Sequence, residues 1–279
     1  MKNYKKNIKT ELQGGLGNQL FIYASIKVLA KKWNRNIKFD ISSFNQSEKY
    51  NRDLEIKKLG LHVESYSSIL SNLQFLKKII YKFSKFSFNM IIKETEYNQF
   101  ENFKEPKLNN CKLVGYFQNA LYFDDIQDDI LGSIKSSNLY SQIKGEVSIK
   151  FDVDKSIAIH LRSYEEAVVN KDDILTPPHT YIDNALNALK YNKDSERLIV
   201  FTDNEDYAQR VLGKRVYTIY QEPEAVNALI ALSQFKKIIC SNSSFGWWGA
   251  YLSKSKLVTY PSYSGYKHYP TPHNYWKII

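Results

Sequence analysis

Three short stretches in the C-terminal half join an apolar run to residues that could do chemistry. "SIAIHLRS" ends on His160, Arg162 and Ser163; "RLIVFTDN" ends on Asp203 and Asn204; "KKIICSNSSFGWWGAYL" leaves its apolar run at Asn242, Ser243, Ser244 and Phe245. An arginine emerging from a buried strand is costly unless it meets an anion. Its planar fork suits the oxygens of a pyrophosphate, although an internal salt bridge with Glu165 or a nearby aspartate would also satisfy it. Asp203 could accept from a base or a ribose. Asn242, Ser243 and Ser244 fall where a helix should begin, so their hydroxyls and N–H groups can cap it or cradle phosphate oxygens. Trp247, Trp248 and Tyr251 read as pins that fix this helix to a core.

A fourth stretch lies near the N-terminus. In "LQGGLGNQLFIYASIKVLA" a turn carrying Gly14, Gly15, Gly17, Asn18 and Gln19 opens an apolar helical pattern. Such a turn presents backbone N–H groups to an anion, and a tight strand-to-helix connection explains it equally well. It is not the dinucleotide fingerprint, because the third glycine is missing and Asp40 lies beyond the expected acid. Asp40 closes "NIKFDIS" at the carboxyl edge of a strand, where α/β sheets place their sites. Asp152 and Asp154 precede a strand instead of ending one, whereas a hard cation needs carboxylates that converge on it. With no zinc cluster, nucleophile elbow or P-loop in the chain, no metal and no cofactor is expected.

The elements that position these residues follow from the alternation of apolar runs and helical patterns, which implies parallel sheets covered on both faces. At 279 residues the chain exceeds the usual single core. Two domains are expected, 1–150 and 151–279. Between Ser65 and Lys93 the chain reads as a long basic and aromatic helical stretch, either an amphipathic helix or pair packed on the first domain or a foot on an anionic membrane. The net charge of +10 favours an anionic partner, but abundant Lys, Asn, Ile, Tyr and Phe also match an AT-rich coding bias. No nucleic-acid motif accompanies that charge, so nucleic acid is not an expected partner. No apolar run approaches the ~20 residues of a membrane span. The basic N-terminus lacks the apolar block of a secretory signal, which points to a cytoplasmic protein, with peripheral attachment to the inner membrane face as the sharper reading. Cys111 and Cys240 sit among apolar residues and read as buried free thiols.

Taken together, "GGLGNQLFIYA", "GYFQNALYF", "HLRSYEE", "FTDN" and "NSSFGWWGAYL" resemble the bacterial alpha-1,2-fucosyltransferases of glycosyltransferase family 11, in order and spacing from about residue 10 to 260. The resemblance implies a GT-B-like α/β fold of two Rossmann-like domains with a cleft between them, the first on the acceptor side and the second binding the nucleotide sugar. It implies GDP-fucose as donor, metal-independent inverting transfer, and a galactose-containing glycan acceptor, free or lipid-linked. By position, Arg162 with His160 beside it matches the arginine that holds the diphosphate. Asp203, Asn242, Ser243, Ser244 and Phe245 match the donor site, and Gly14, Gly15, Gly17, Asn18 and Gln19 match the first-domain loop. Glu165 takes the family's carboxylate position and is the candidate base, with Glu166 and Asp40 as rivals. The chain departs from the family pattern at Ser163 (arginine), Tyr164 (glycine), Glu165 (aspartate), Asn204 (a second aspartate) and Gly246 (serine). Another GDP-linked sugar, or a binding protein without turnover, are the alternatives these departures leave open.

Overall fold

The computed structural model describes residues 6–45, 53–66, 91–94, 104–163, 179–262 and 270–279. The chain divides into two compact units, Met1–Ser133 and Ile134–Ile279.

In the first unit the described elements are β1 (Asn7–Glu11), α1 (Leu16–Lys32), β2 (Asn36–Asp40), β3 (Ser65–Tyr66), β4 (Ile91–Lys93), β5 (Asn110–Val114) and α2 (Gln127–Lys135). The strands form one parallel sheet in the order β3-β2-β1-β5-β4. Helix α1 buries Leu20, Phe21, Ile22, Tyr23 and Ala24 in succession. A helix apolar on nearly every side belongs inside a fold, which is why the pattern was legible as helix but showed no solvent face. The expected helical stretch from Ser65 to Lys93 needs correction at both ends. Ser65–Tyr66 and Ile91–Lys93 are strands, added to the edges of the sheet beside β2 and β5. Two or three residues are too few for a period of two to show against a lysine-rich background. Residues 67–90, and with them the proposed membrane foot, lie outside the described residues. No helix among the described residues is long and apolar enough to cross a membrane.

The second unit contains α3 (Asn138–Lys150), β6 (Ser156–Leu161), α4 (His179–Ala188), β7 (Arg197–Thr202), α5 (Glu205–Leu212), β8 (Thr218–Ile219), α6 (Ala225–Leu232), β9 (Lys237–Ile239), α7 (Ser244–Ser253), β10 (Leu257–Tyr260) and β11 (Lys277–Ile278). Its parallel sheet has the order β11-β10-β9-β6-β7-β8. Numbered within the unit this is 6-5-4-1-2-3, the doubly wound dinucleotide-fold order, whose direction of winding reverses between β6 and β9. The boundary expected at 150 falls one helix later than the division seen here. Helix α3, capped by the Ser137 hydroxyl accepting from Tyr140 N–H, packs against α6 and so belongs with the second sheet. Its polar sequence gave no sign of which sheet it would cover.

Trp247, Trp248 and Tyr251 are fully buried and form an aromatic core with Trp276. Trp247 Nε1 also donates to the Thr271 carbonyl at 2.8 Å. Trp247 therefore ties the C-terminal segment to α7. Cys111 and Cys240 are buried and free, and burial pushes both thiols up.

Candidate active site

Residues on β6 alternate between the two faces of the sheet. Ile157, Ile159 and Leu161 join Tyr181, Ile182 and Leu186 of α4 in one apolar cluster. Ala158, His160 and Arg162 therefore address the opposite face, and all six strand residues are buried. Just past the strand, Arg162 forms an ion pair with Asp203 at the end of β7. Asp203 Oδ1 accepts from the Ser163 backbone N–H at 3.0 Å, and the Ser163 hydroxyl lies 3.5 Å from Oδ2. The salt bridge anticipated for the arginine is thus made with Asp203. Both side chains remain over a quarter exposed, 27% and 29%. A partly exposed pair contributes little stability; its consequence is a guanidinium held in one orientation at the sheet edge. Asn204 caps α5, its side chain accepting from Tyr207 N–H at 2.9 Å.

On the other side of β6, the chain leaves β9 through Cys240, Ser241 and Asn242, all buried. Ser243 caps α7 by accepting from Phe245 N–H at 3.2 Å, while Ser244 and Phe245 are partly exposed. Of the polar run, Asn242 thus lies inside the fold and Ser244 and Phe245 carry its outer surface. His160 Nδ1 lies 2.8 Å from Ser241 Oγ, and the ring stacks on Phe245 at 5.4 Å between centroids and 26°. A Cβ on Gly246 would lie 2.7 Å from His160 Nδ1, so only glycine lets the first turn of α7 approach this ring. Burial pushes His160 down to about 4, with Asp203 opposing and Arg162 reinforcing the shift. The imidazole is neutral near pH 7 and too weak a base to be the tuned proton acceptor of an enzyme working there. His160 and Ser241 bridge the ends of β6 and β9, the switch point outside which ligands bind in this fold class.

In the first unit, Gly14 adopts φ +75°, a left-handed conformation that favours glycine. Gly15 precedes α1 without a side-chain cap, the first turn of that helix holds no acid, and Gly17 within it is buried. Gln19 is fully buried. Its Nε2 donates to the Gly14 and Asp53 carbonyls, and its Oε1 accepts from the N–H groups of Glu55 and Ile56. Its amide shapes the loop from beneath. Asn18 accepts from Gln118 Nε2 at 2.7 Å, joining the first turn of α1 to the turn that follows β5. Asp40 Oδ1 accepts from Ser42 N–H at 3.0 Å. Glu94 Oε2 accepts from Tyr116 and Phe117 N–H at 2.9 and 2.8 Å and fixes the turn that carries Gln118.

Ser241, Gln118 and Glu94 were not among the expected site residues. Ser241 was legible in principle, since it directly precedes the "NSSF" run. Glu94 was not, because its partners lie more than twenty residues away. Asp152 accepts from Asp154 and Lys155 N–H in a turn, and Asp154 pairs with Lys236, so this acidic pair is engaged locally. A cavity of about 1200 Å³ is lined by Lys6, Trp33, Arg35, Asn36 and Glu105, residues that precede or open the strands, and so these lie away from the carboxyl edge. Tyr164, Glu165 and Glu166 lie outside the described residues.

Two parallel α/β sheets, the second in dinucleotide-fold order with Arg162, Asp203 and a helix N-terminus at its carboxyl edge, define a GT-B-like fold. The model of Glycosyl transferase family 11 matches residues 1–268, and the chain belongs to this family of glycosyltransferases. It is 25% identical to the O-antigen biosynthesis glycosyltransferase WbnK of Escherichia coli, covering 90% of this chain and 92% of that one. It is also 25% identical to an alpha-1,2-colitosyltransferase of Escherichia coli, covering 90% and 89%. A GDP complex of an Arabidopsis thaliana FUT1 variant shares the fold, with a TM-score of 0.51 and 13% identity over 90% of this chain and 69% of that one.

Proposed function

We propose that the protein transfers L-fucose from GDP-fucose to the 2-hydroxyl of a galactoside, inverting the anomeric centre without a metal, in the synthesis of a surface glycan such as O-antigen. The observation that carries the reading is Arg162, held by Asp203 at the carboxyl edge of the second sheet. The bacterial relatives support the glycan, one being named for O-antigen biosynthesis and the other for an alpha-1,2 linkage. The acceptor hydroxyl attacks the anomeric carbon opposite the diphosphate, and GDP departs carrying the bonding pair. Arg162 and the N–H groups of the first turn of α7 stabilise the charge that develops on that leaving group. Glu165, with Glu166 and Asp40 as rivals, takes the proton from the acceptor. In this reading the enzyme works in the cytoplasm, and the acceptor is free or lipid-linked at the inner membrane face.

A second donor has specific support, because a relative of equal identity is a colitosyltransferase. Colitose differs from fucose by the loss of one hydroxyl. A site built to hydrogen-bond that hydroxyl would reject colitose strongly, whereas an apolar wall would discriminate weakly. The test is GDP release from GDP-fucose in EDTA, with and without a beta-galactoside, with product linkage read by NMR. Acceptor-dependent release with a new alpha-1,2 linkage is expected. Release only from the colitose donor would replace fucose in this reading, and release that requires added metal would overturn its metal-independent mechanism.

A further inference from the structure

We propose that Ser241 is a positioning residue that holds His160 as a neutral hydrogen-bond donor, the serine hydroxyl donating to Nδ1 so that Nε2 carries the ring proton and serves the donor's diphosphate. What Nε2 meets rests on the donor reading above; how the ring is held rests on geometry. Ser241 is 1% exposed and its hydroxyl lies 2.8 Å from Nδ1. Were Nδ1 the donor, the hydroxyl proton of this buried serine would have no acceptor among the described residues. An unpaired buried donor costs more than the bond returns. Donation by the serine satisfies its own proton and the Nδ1 lone pair in one contact. The single proton of a neutral imidazole then belongs on Nε2.

Phe245 stacked on the ring and Gly246 beside Nδ1 fix its plane. His160 precedes Arg162 by two residues on the same side of β6, so ring and guanidinium address one edge. Burial keeps the ring uncharged, which suits a donor that must not compete with Arg162 for Asp203. The same chemistry, a neutral histidine donating to developing negative charge, is a known enzymic device.

The test uses the full chain labelled with ¹⁵N-histidine. Its five histidines keep the spectrum simple, and His160→Asn assigns the signal. Long-range ¹H–¹⁵N NMR should show the Nε2–H tautomer in the wild type and a shift of Nε2 on adding GDP. Ser241→Ala should admit the Nδ1–H tautomer and lower the turnover number about tenfold, the scale of one hydrogen bond, with little change in the KM for donor. Ser241→Thr should restore both tautomer and rate. A wild-type Nδ1–H tautomer, or a tautomer unchanged in Ser241→Ala, would overturn the assignment of Ser241. An Nε2 signal indifferent to GDP, with GDP binding shown separately by calorimetry, would overturn the diphosphate contact while leaving the donor reading standing. Failure of GDP to bind would remove both.

Discussion

At the scale of single residues, the site depends on groups that hold other groups. Asp203 accepts from Ser163 and pairs with Arg162, so this carboxylate supports the cation. Ser163, where the family pattern has an arginine, contributes a backbone N–H and a hydroxyl to that support. His160 makes a second kind of statement, about acidity. Its folded value of about 4 lies below the unperturbed 6.5 because burial disfavours the charged ring. Between those values the unfolded chain binds the extra proton. The stability contributed by the neutral ring is therefore present above pH 6.5 and lost as pH falls towards 4, on the order of 3 kcal/mol across the window. Chemical denaturation of the wild type and His160→Asn at pH 7.5 and pH 4.5 should show the stability gap between them shrinking at the lower pH. A gap that stays constant would mean that the ring is not held neutral.

At the scale of elements, α7 is the piece on which the second unit turns. Its glycines answer a packing requirement that the sequence shows only as an odd pairing with tryptophan. Gly246 admits the His160 ring, and a Cβ on Gly249 would lie 2.4 Å from Leu232 Cδ2 and 2.7 Å from Cγ, where α6 crosses α7. Gly249→Ala should therefore cost roughly 1–3 kcal/mol through overpacking, seen as a lower midpoint in thermal unfolding; an unchanged midpoint would show that α6 gives way freely. The central strands β6, β7 and β9, continuous apolar runs ending in polar residues, were legible in the sequence, and so was the start of α7 after β9. The short strands β3, β4, β8 and β11 were not. Each has two or three residues and draws its pairing from a neighbour, not from its own pattern. The polar chain ahead of β6 forms two helices, α2 and α3, separated where Ser137 caps the second.

For the whole molecule, motif order made the fold class legible, because alternating strands and helices leave few topologies. The division of the chain was legible only to within one helix, since α3 takes its allegiance from its contacts with α6. Arg162, Asp203 and the α7 cap could be named from sequence because each stands directly after an apolar run. Their mutual support could not, since it spans strands forty residues apart. The central claim is that the carboxyl edge of the second sheet holds the diphosphate of GDP through Arg162. Calorimetric titration of GDP into the wild type and into folded Arg162→Ala tests this most directly. The expected result is binding by the wild type weakened about 10- to 100-fold in the variant, the scale of a charged hydrogen-bonding pair. Equal affinities in the two proteins would contradict it.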